Sequence, residues 1–172
     1  NLMKESILDY DISAIDATTF QVLNEPGRKA ETKSQAYCIR GGPPGKETTL
    51  YEYNGYRQKD YITDLFTDYN GIISMDAAPV SNGLIQNPAI RRSLCHAHAR
   101  RKFENIEAMR TKGKGKKKAK PGLAYYVLKN VYQPLYEIER HMADLAFSPD
   151  EIRAYRQEKA KPILLAHKQW LD

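Results

Sequence analysis

Residues 14–24, "AIDATTFQVLN", place Ile15, Thr18, Phe20 and Val22 in a run of β-branched and aromatic side chains, which predicts a strand. A polar turn, "GRKAETKS", follows. "QAYCIRGG" and "TTLYEYNGY" then predict two more strands around the "GGPPGK" turn, and three strands joined by short turns make an antiparallel meander. In "DYITDLFTDYNG" the apolar residues Ile62, Leu65, Phe66 and Tyr69 fall at helical spacing, with Gly71 the expected C-cap. The apolar run "GIISMDA" reads as a buried strand. "RRSLCHAH" reads as another, after a loop or short helix at "NGLIQNP". The order βββαβ, loop or short helix, β predicts a mixed α/β core.

The period changes in the last third. Leu123, Val127, Val131, Leu135, Ile138, Met142 and Leu145 recur every three or four residues and predict one long apolar helical face, which Pro134 should kink or split. "SPDE" at 148–151 is a helix start: Ser148 caps, Pro149 suits the first helical position and Glu151 completes a capping box. The helix it opens runs through Ile152, Tyr155, Ile163, Leu164 and Trp170, with a bend expected at Pro162. The two helical stretches predict a hairpin.

Charge changes this picture at one place. The formal charge is +6, yet "RTKGKGKKKAK", residues 110–120, alone carries +7 through Arg110, Lys112, Lys114, Lys116, Lys117, Lys118 and Lys120, leaving −1 elsewhere. Any electrostatic case for nucleic acid therefore rests on this segment, and a solvated linker is the competing reading. No apolar run reaches the roughly 18 residues of a membrane span. The amino terminus lacks the apolar core of a secretory signal, so the expected address is the cytoplasm, with no membrane partner. Cys38 and Cys95, too few for a disulfide framework, are expected to be thiols there.

Two groups of residues could carry chemistry. Asp16 lies within the first predicted strand and Asp76 at the end of the "GIISMDA" strand, positions that are costly for a carboxylate unless it is paired, hydrogen-bonded or metal-bound. Were the two strands parallel neighbours, both could reach one Mg²⁺ or Mn²⁺; otherwise each caps a strand end. Cys95 and His98 form a C-x-x-H pair. Zinc needs about four soft or imidazole ligands, and even with His96 and Cys38 the shell is not specified by spacing, so a buried thiol and a hydrogen-bonded imidazole remain the ordinary alternative. "ARRKF" puts Arg100, Arg101 and Lys102 on the first turns of a helix, where cations oppose the helix dipole and suit a surface facing phosphate.

These blocks together resemble a known family. "CHAHARRKF" is similar to the Cys-x-Ala-His-Ala-Arg-Arg-Lys-Phe signature of insertion sequence 66 transposases, and "AIDATTFQVLNEPGRKAETKSQAY", "IRGGPPGK", "GIISMDA", "LYEIER" and "RQEKAKPILLAHKQWLD" line up with that family in the same order. The resemblance spans nearly the whole chain. It implies a DDE-type catalytic core with a ribonuclease H-like mixed sheet, three antiparallel strands and then parallel ones, followed by a helical hairpin insertion. The implied segmentation is a partial core at 1–110, a basic loop at 111–121 and the helical insertion at 122–172. Asp16 and Asp76 fall on the first two catalytic, metal-binding acids, with Mg²⁺ (or Mn²⁺) as cofactor. Cys95 and His98 match a structural C-x-x-H element beside the active site. Arg100, Arg101, Lys102, Lys114, Lys116, Lys117 and Lys118 would contact DNA, both transposon ends and target. The intact transposase would be a homo-oligomer, cytoplasmic and nucleoid-associated when bound to DNA.

The chain departs from the family pattern at three points. Ala17 stands where an acidic residue is usual, and Ala77 and Ala78 stand where glycine and tyrosine are usual. The third acid is expected beyond the helical insertion, and the sequence stops at Asp172 before such a stretch; Glu104 and Glu107 are the nearest substitutes. The expectation is thus a transposase fragment, weak or inactive alone. A non-catalytic remnant that binds DNA or pairs with a transposase is the alternative.

Overall fold

Alternating apolar side chains need a second layer to bury them, and in this chain the layer is supplied from both sides of the meander in sequence. The computed structural model describes residues 2–55, 60–77, 79–112 and 120–172. They divide into two compact units, 1–95 and 96–172.

In the first unit, helix α1 (Leu2–Leu8) precedes strands β1 (Ile12–Gln21), β2 (Lys33–Gly41) and β3 (Thr48–Asn54). Helix α2 (Tyr61–Leu65), β4 (Gly71–Met75), a 3-10 helix (Pro79–Gln86) and β5 (Ile90–Leu94) follow. The five strands form one sheet in the order β3-β2-β1-β4-β5. The β1–β2 and β2–β3 pairs are antiparallel, with Asp16 opposite Cys38, whereas β4 runs parallel to both β1 and β5. This is a mixed sheet compatible with a ribonuclease H-like fold. Its chain path moves outward from β1 to β3, then crosses through α2 to the other side of β1.

One face of the sheet carries Ile15, Tyr37, Ile39, Ile73 and Met75 into the core, where they meet Ile62, Leu65, Phe66, Tyr69, Ile7 and Leu84. Each such side chain contributes roughly 1.5–3 kcal/mol on burial. Tyr37 stacks on Tyr61, and Phe66 meets Tyr69 edge-on, both at 5.4 Å between centroids. The sequence reading assigned no element before residue 14, yet α1 forms and buries Ile7. It can do so because a Cβ at residue 41 would lie 2.9 Å from Ile7 Cγ2; Gly41 leaves that space open.

Two boundaries differ from expectation. β1 starts and ends earlier than the predicted 14–24. Gly71 is no C-cap: α2 stops at Leu65 with Phe66 as its cap, and Gly71 opens β4. The physical reason is close approach, since a Cβ at Gly71 would fall 2.5 Å from the carbonyl oxygen of Asp11.

The second unit is helical: α3 (His96–Thr111), α4 (Leu123–Val127), α5 (Gln133–Asp144), α6 (Pro149–Tyr155) and α7 (Lys161–Leu171). The proline effects predicted from sequence take a specific form. A π-helical segment, Leu128–Tyr132, joins α4 to α5 just before Pro134, and another, Arg156–Ala160, joins α6 to α7 just before Pro162. Gln133 N–H donates to Leu128 O and Lys161 N–H to Arg156 O, each five residues back. Proline lacks the amide that an α-turn needs and crowds the carbonyl four residues earlier, so a locally widened turn lets the helix continue past it. Ser148 opens α6 with both halves of the predicted capping box and Pro149 in the first turn. Val127, Val131 and Tyr132 form the small core of this unit, with Phe103, Leu135 and Ile163 packed against it. The predicted apolar face is buried in its middle and open at its ends, where Leu123 and Leu145 are 71% and 58% exposed.

Candidate active site

The parallel pairing of β1 with β4 is what brings the two candidate carboxylates into one place. Ile12 sits beside Ile72, Ser13 beside Ile73 and Ala14 beside Ser74. The pairing ends at Ala14 and Ser74, two residues before Asp16 within β1 and before Asp76, which lies just past the end of β4. Both aspartates line one small hollow with Ile15, Ala17, Tyr37, Ile62 and Met75, with room for about 20 Å³. That is space for one water-sized group. Ala17 N–H donates to Asp16 Oδ1 at 2.9 Å and orients the carboxylate. Position in the sheet adds to the case: β1 and β4 flank the point where the chain path reverses direction across the sheet, the usual place for a ligand crevice at the carboxyl ends of parallel strands.

The donor chemistry fits a small hard cation. Two carboxylates offer only oxygen donors, which suits Mg²⁺ or Mn²⁺, and Asp16 and Asp76 are the residues that would hold it. Among the described residues no group of three or more His, Cys, Asp or Glu side chains comes together to hold a metal ion.

The family model described as "Transposase IS66 family" matches residues 1–172. The chain belongs to the IS66 transposase family. It is also 29% identical over 136 residues to "Uncharacterized protein y4hP" of Sinorhizobium fredii (strain NBRC 101917 / NGR234), a match covering 76% of this chain and 24% of that relative. The chain thus spans about a quarter of the length of that curated relative. No solved structure matches it. No helix among the described residues is long and apolar enough to cross a membrane.

Within this IS66 family chain, the remaining predicted residues fall into separate surroundings. Cys95 ends the sheet unit, and its N–H donates to Met75 O at 2.8 Å, tying the end of β5 to the residue before Asp76. It is a half-buried free thiol, as is Cys38. His98 lies half-buried on α3, in the helical unit. Arg101 and Lys102 are exposed on α3. Arg100 pairs with Glu104 at 2.8 Å and lies over the ring of Tyr136, 4.8 Å from its centroid. Glu107 forms a two-pronged ion pair with Arg110, whose guanidinium holds its carboxyl below the usual range. Lys114, Lys116, Lys117 and Lys118, together with Ala78, lie outside the described residues.

Sequence reading passed over one grouping. Arg100 and Glu104 of α3 line a cleft of about 450 Å³ with Tyr125, Lys129, Gln133, Tyr136, Glu137 and Arg140 from the α4–α5 run. The signal was present as a second stripe at helical spacing, 125, 129, 133, 136 and 140, offset from the apolar face and mixing tyrosines with cations.

Proposed function

We propose that this chain supplies part of the catalytic core of a DDE transposase, with Asp16 and Asp76 as the first two acids of its metal centre. The single observation that carries the reading is that Asp16 and Asp76, sixty positions apart, line one small hollow just past the paired stretch of β1 and β4. A bound Mg²⁺ or Mn²⁺ would supply Lewis-acid stabilisation of phosphate oxygens and a more acidic water or hydroxyl for in-line attack on DNA. The chain's own part is to place two negative oxygen donors side by side, with the Ala17 amide fixing one of them.

Strand cleavage and joining at transposon ends and target DNA is the activity of the whole assembly. Here 1–110 acts as partial core, 111–121 as the basic loop and 122–172 as the helical insertion. Cys95, through its amide, and His98 act as structural elements at the strand-to-helix junction, not as zinc ligands. Arg101, Lys102 and the lysines of the 110–120 run contact phosphates, giving salt-dependent affinity with little sequence preference. The cytoplasm is the place of action, and the working form is a homo-oligomer. With only two acids gathered among the described residues and Ala17 and Ala77 beside them, this chain alone binds metal weakly and turns over little DNA. The same observation favours a second reading, a DNA-binding or transposase-pairing remnant without chemistry.

Mn²⁺ calorimetry on the wild type and on Asp16→Asn and Asp76→Asn separates them. Weak binding that disappears in both variants supports the metal centre. Absence of binding at millimolar Mn²⁺ in the wild type, or persistence in both variants, overturns it in favour of the remnant.

A further inference from the structure

We propose that the cleft between α3 and the α4–α5 run in the helical unit is a stacking site for unpaired nucleotides of single-stranded DNA. The inference rests on the reading of DNA as substrate but uses none of the residues of the metal centre. The cleft offers what a nucleotide needs and little that other ligands need. Tyr125 and Tyr136 are half-buried aromatic rings lining a space of about 450 Å³, within the range of ligand pockets. Each already has a cation beside it, Lys129 at 5.9 Å from the Tyr125 centroid and Arg100 at 4.8 Å from that of Tyr136. Stacked base, aromatic ring and cation is the recurring arrangement of sequence-tolerant single-strand binding.

The charges point the same way. Three cations face two carboxylates in the cleft, and the carboxylates have partners within the chain: Glu104 pairs with Arg100, and Glu137 accepts from the Gln133 amide at 2.8 Å. Lys129 and Arg140 are exposed and carry no ion pair among the described residues, which leaves them for phosphate. A duplex would satisfy the cations but could not reach the rings, because its bases are already stacked. A highly acidic peptide would meet Glu104 and Glu137 and gain nothing from the tyrosines. The Arg110 guanidinium also donates to Lys120 O, five residues before Tyr125. The stacking site itself consists of described residues only.

The test measures anisotropy of a fluorescein-labelled single-stranded oligonucleotide with the 172-residue chain, in EDTA, against an abasic oligonucleotide of the same length and phosphate count. The phosphates are equal, so a difference in affinity isolates the bases. Removing the bases should weaken binding by at least about fivefold, the low end of one stacking contact. Tyr125→Leu/Tyr136→Leu should shrink that ratio towards one. Lys129→Ala/Arg140→Ala should weaken both oligonucleotides alike and flatten their salt dependence. Equal affinity of the wild type for intact and abasic strands overturns the proposal, with no variant needed to interpret it. A base preference kept in full by the tyrosine double variant also overturns it. Because EDTA removes divalent ions, failure of the metal centre leaves this result intact.

Discussion

The two units of this chain are held together by different physics. In the sheet unit, cohesion comes from long-range pairing and a core that gathers Ile7, Ile39, Ile73 and Leu84 from four elements and Phe66 from the cap of α2. In the helical unit the buried cluster is Val127, Val131 and Tyr132, while Leu165, Trp170 and Leu171 remain exposed. Its shape depends more on local terms, the Ser148 capping box and the Arg110–Glu107 pair, joined by a bidentate Arg156–Glu139 bridge between α5 and the segment after α6, at 2.6 and 2.8 Å. The lesson concerns where function can sit. Two carboxylates brought together by register need a rigid frame, and the sheet provides it. The cleft proposed to take a flexible strand needs no such frame, and helices with a thin core form it.

Core truncation gives the sharpest test of that contrast. Phe66, with no exposed surface, should cost about 3–5 kcal/mol on replacement by alanine, and the loss should spread through the hydrogen-exchange protection of all five strands. Met142→Ala in the helical unit should lower protection locally, in α5 and its neighbours. The comparison fails if Phe66→Ala affects only α2, or if Met142→Ala lowers protection across the sheet.

Alkaline pH reaches the sheet unit by another route. Burial, then the Asp11 carboxylate, pushes the Tyr69 hydroxyl up to about 12, while it donates to Tyr10 O at 2.9 Å. Its neutral form is favoured by the fold, so the contribution is whole below pH 10 and is lost as pH rises from 10 through about 12. A loss on the order of 2 kcal/mol is expected across that window. Tyr69→Phe should start about 1 kcal/mol less stable at neutral pH and show a flatter alkaline decline. An unchanged decline would remove Tyr69 from the account.

How much of this could be read from residues alone depended on whether the cause was local. The meander, the capping box at Ser148 and the final helices were legible because turn residues, caps and periodicity act over a few positions. The meeting of Asp16 and Asp76 at one hollow was not fixed by spacing. It depends on β4 pairing in parallel with β1, a choice made by packing across sixty residues. Gly71 was misread because a glycine that ends a helix and one that admits a neighbouring carbonyl look the same in sequence. The π-helical segments were hidden for a similar reason: Pro134 and Pro162 announce a disturbance but not whether the helix bends, breaks or widens. The tyrosine cleft was overlooked because attention to the apolar stripe hides a polar stripe beside it.

The smallest predicted effect tests the helical side of the comparison. Ser148 Oγ accepts from Glu151 N–H, and the Ser148 hydroxyl and N–H both donate to Glu151 Oε2, at 2.6 and 2.8 Å. Those bonds hold the Glu151 carboxyl below its ordinary value of 4.5. A depressed folded value means the contribution is present above pH 4.5 and fades as pH falls through the lower folded value. Loss of the N-cap in Ser148→Ala should cost about 1 kcal/mol at neutral pH, and the variant should also soften part of the acid sensitivity. Trp170 reports the change selectively, since it is the sole tryptophan and sits 56% exposed on α7, which continues from the helix that Ser148 caps. Its emission should shift at lower denaturant in the variant while protection of the sheet amides stays as in the wild type. If protection falls equally in both units, the helical hairpin and the sheet unfold as one cooperative body, and the division of labour between local and long-range cohesion is wrong.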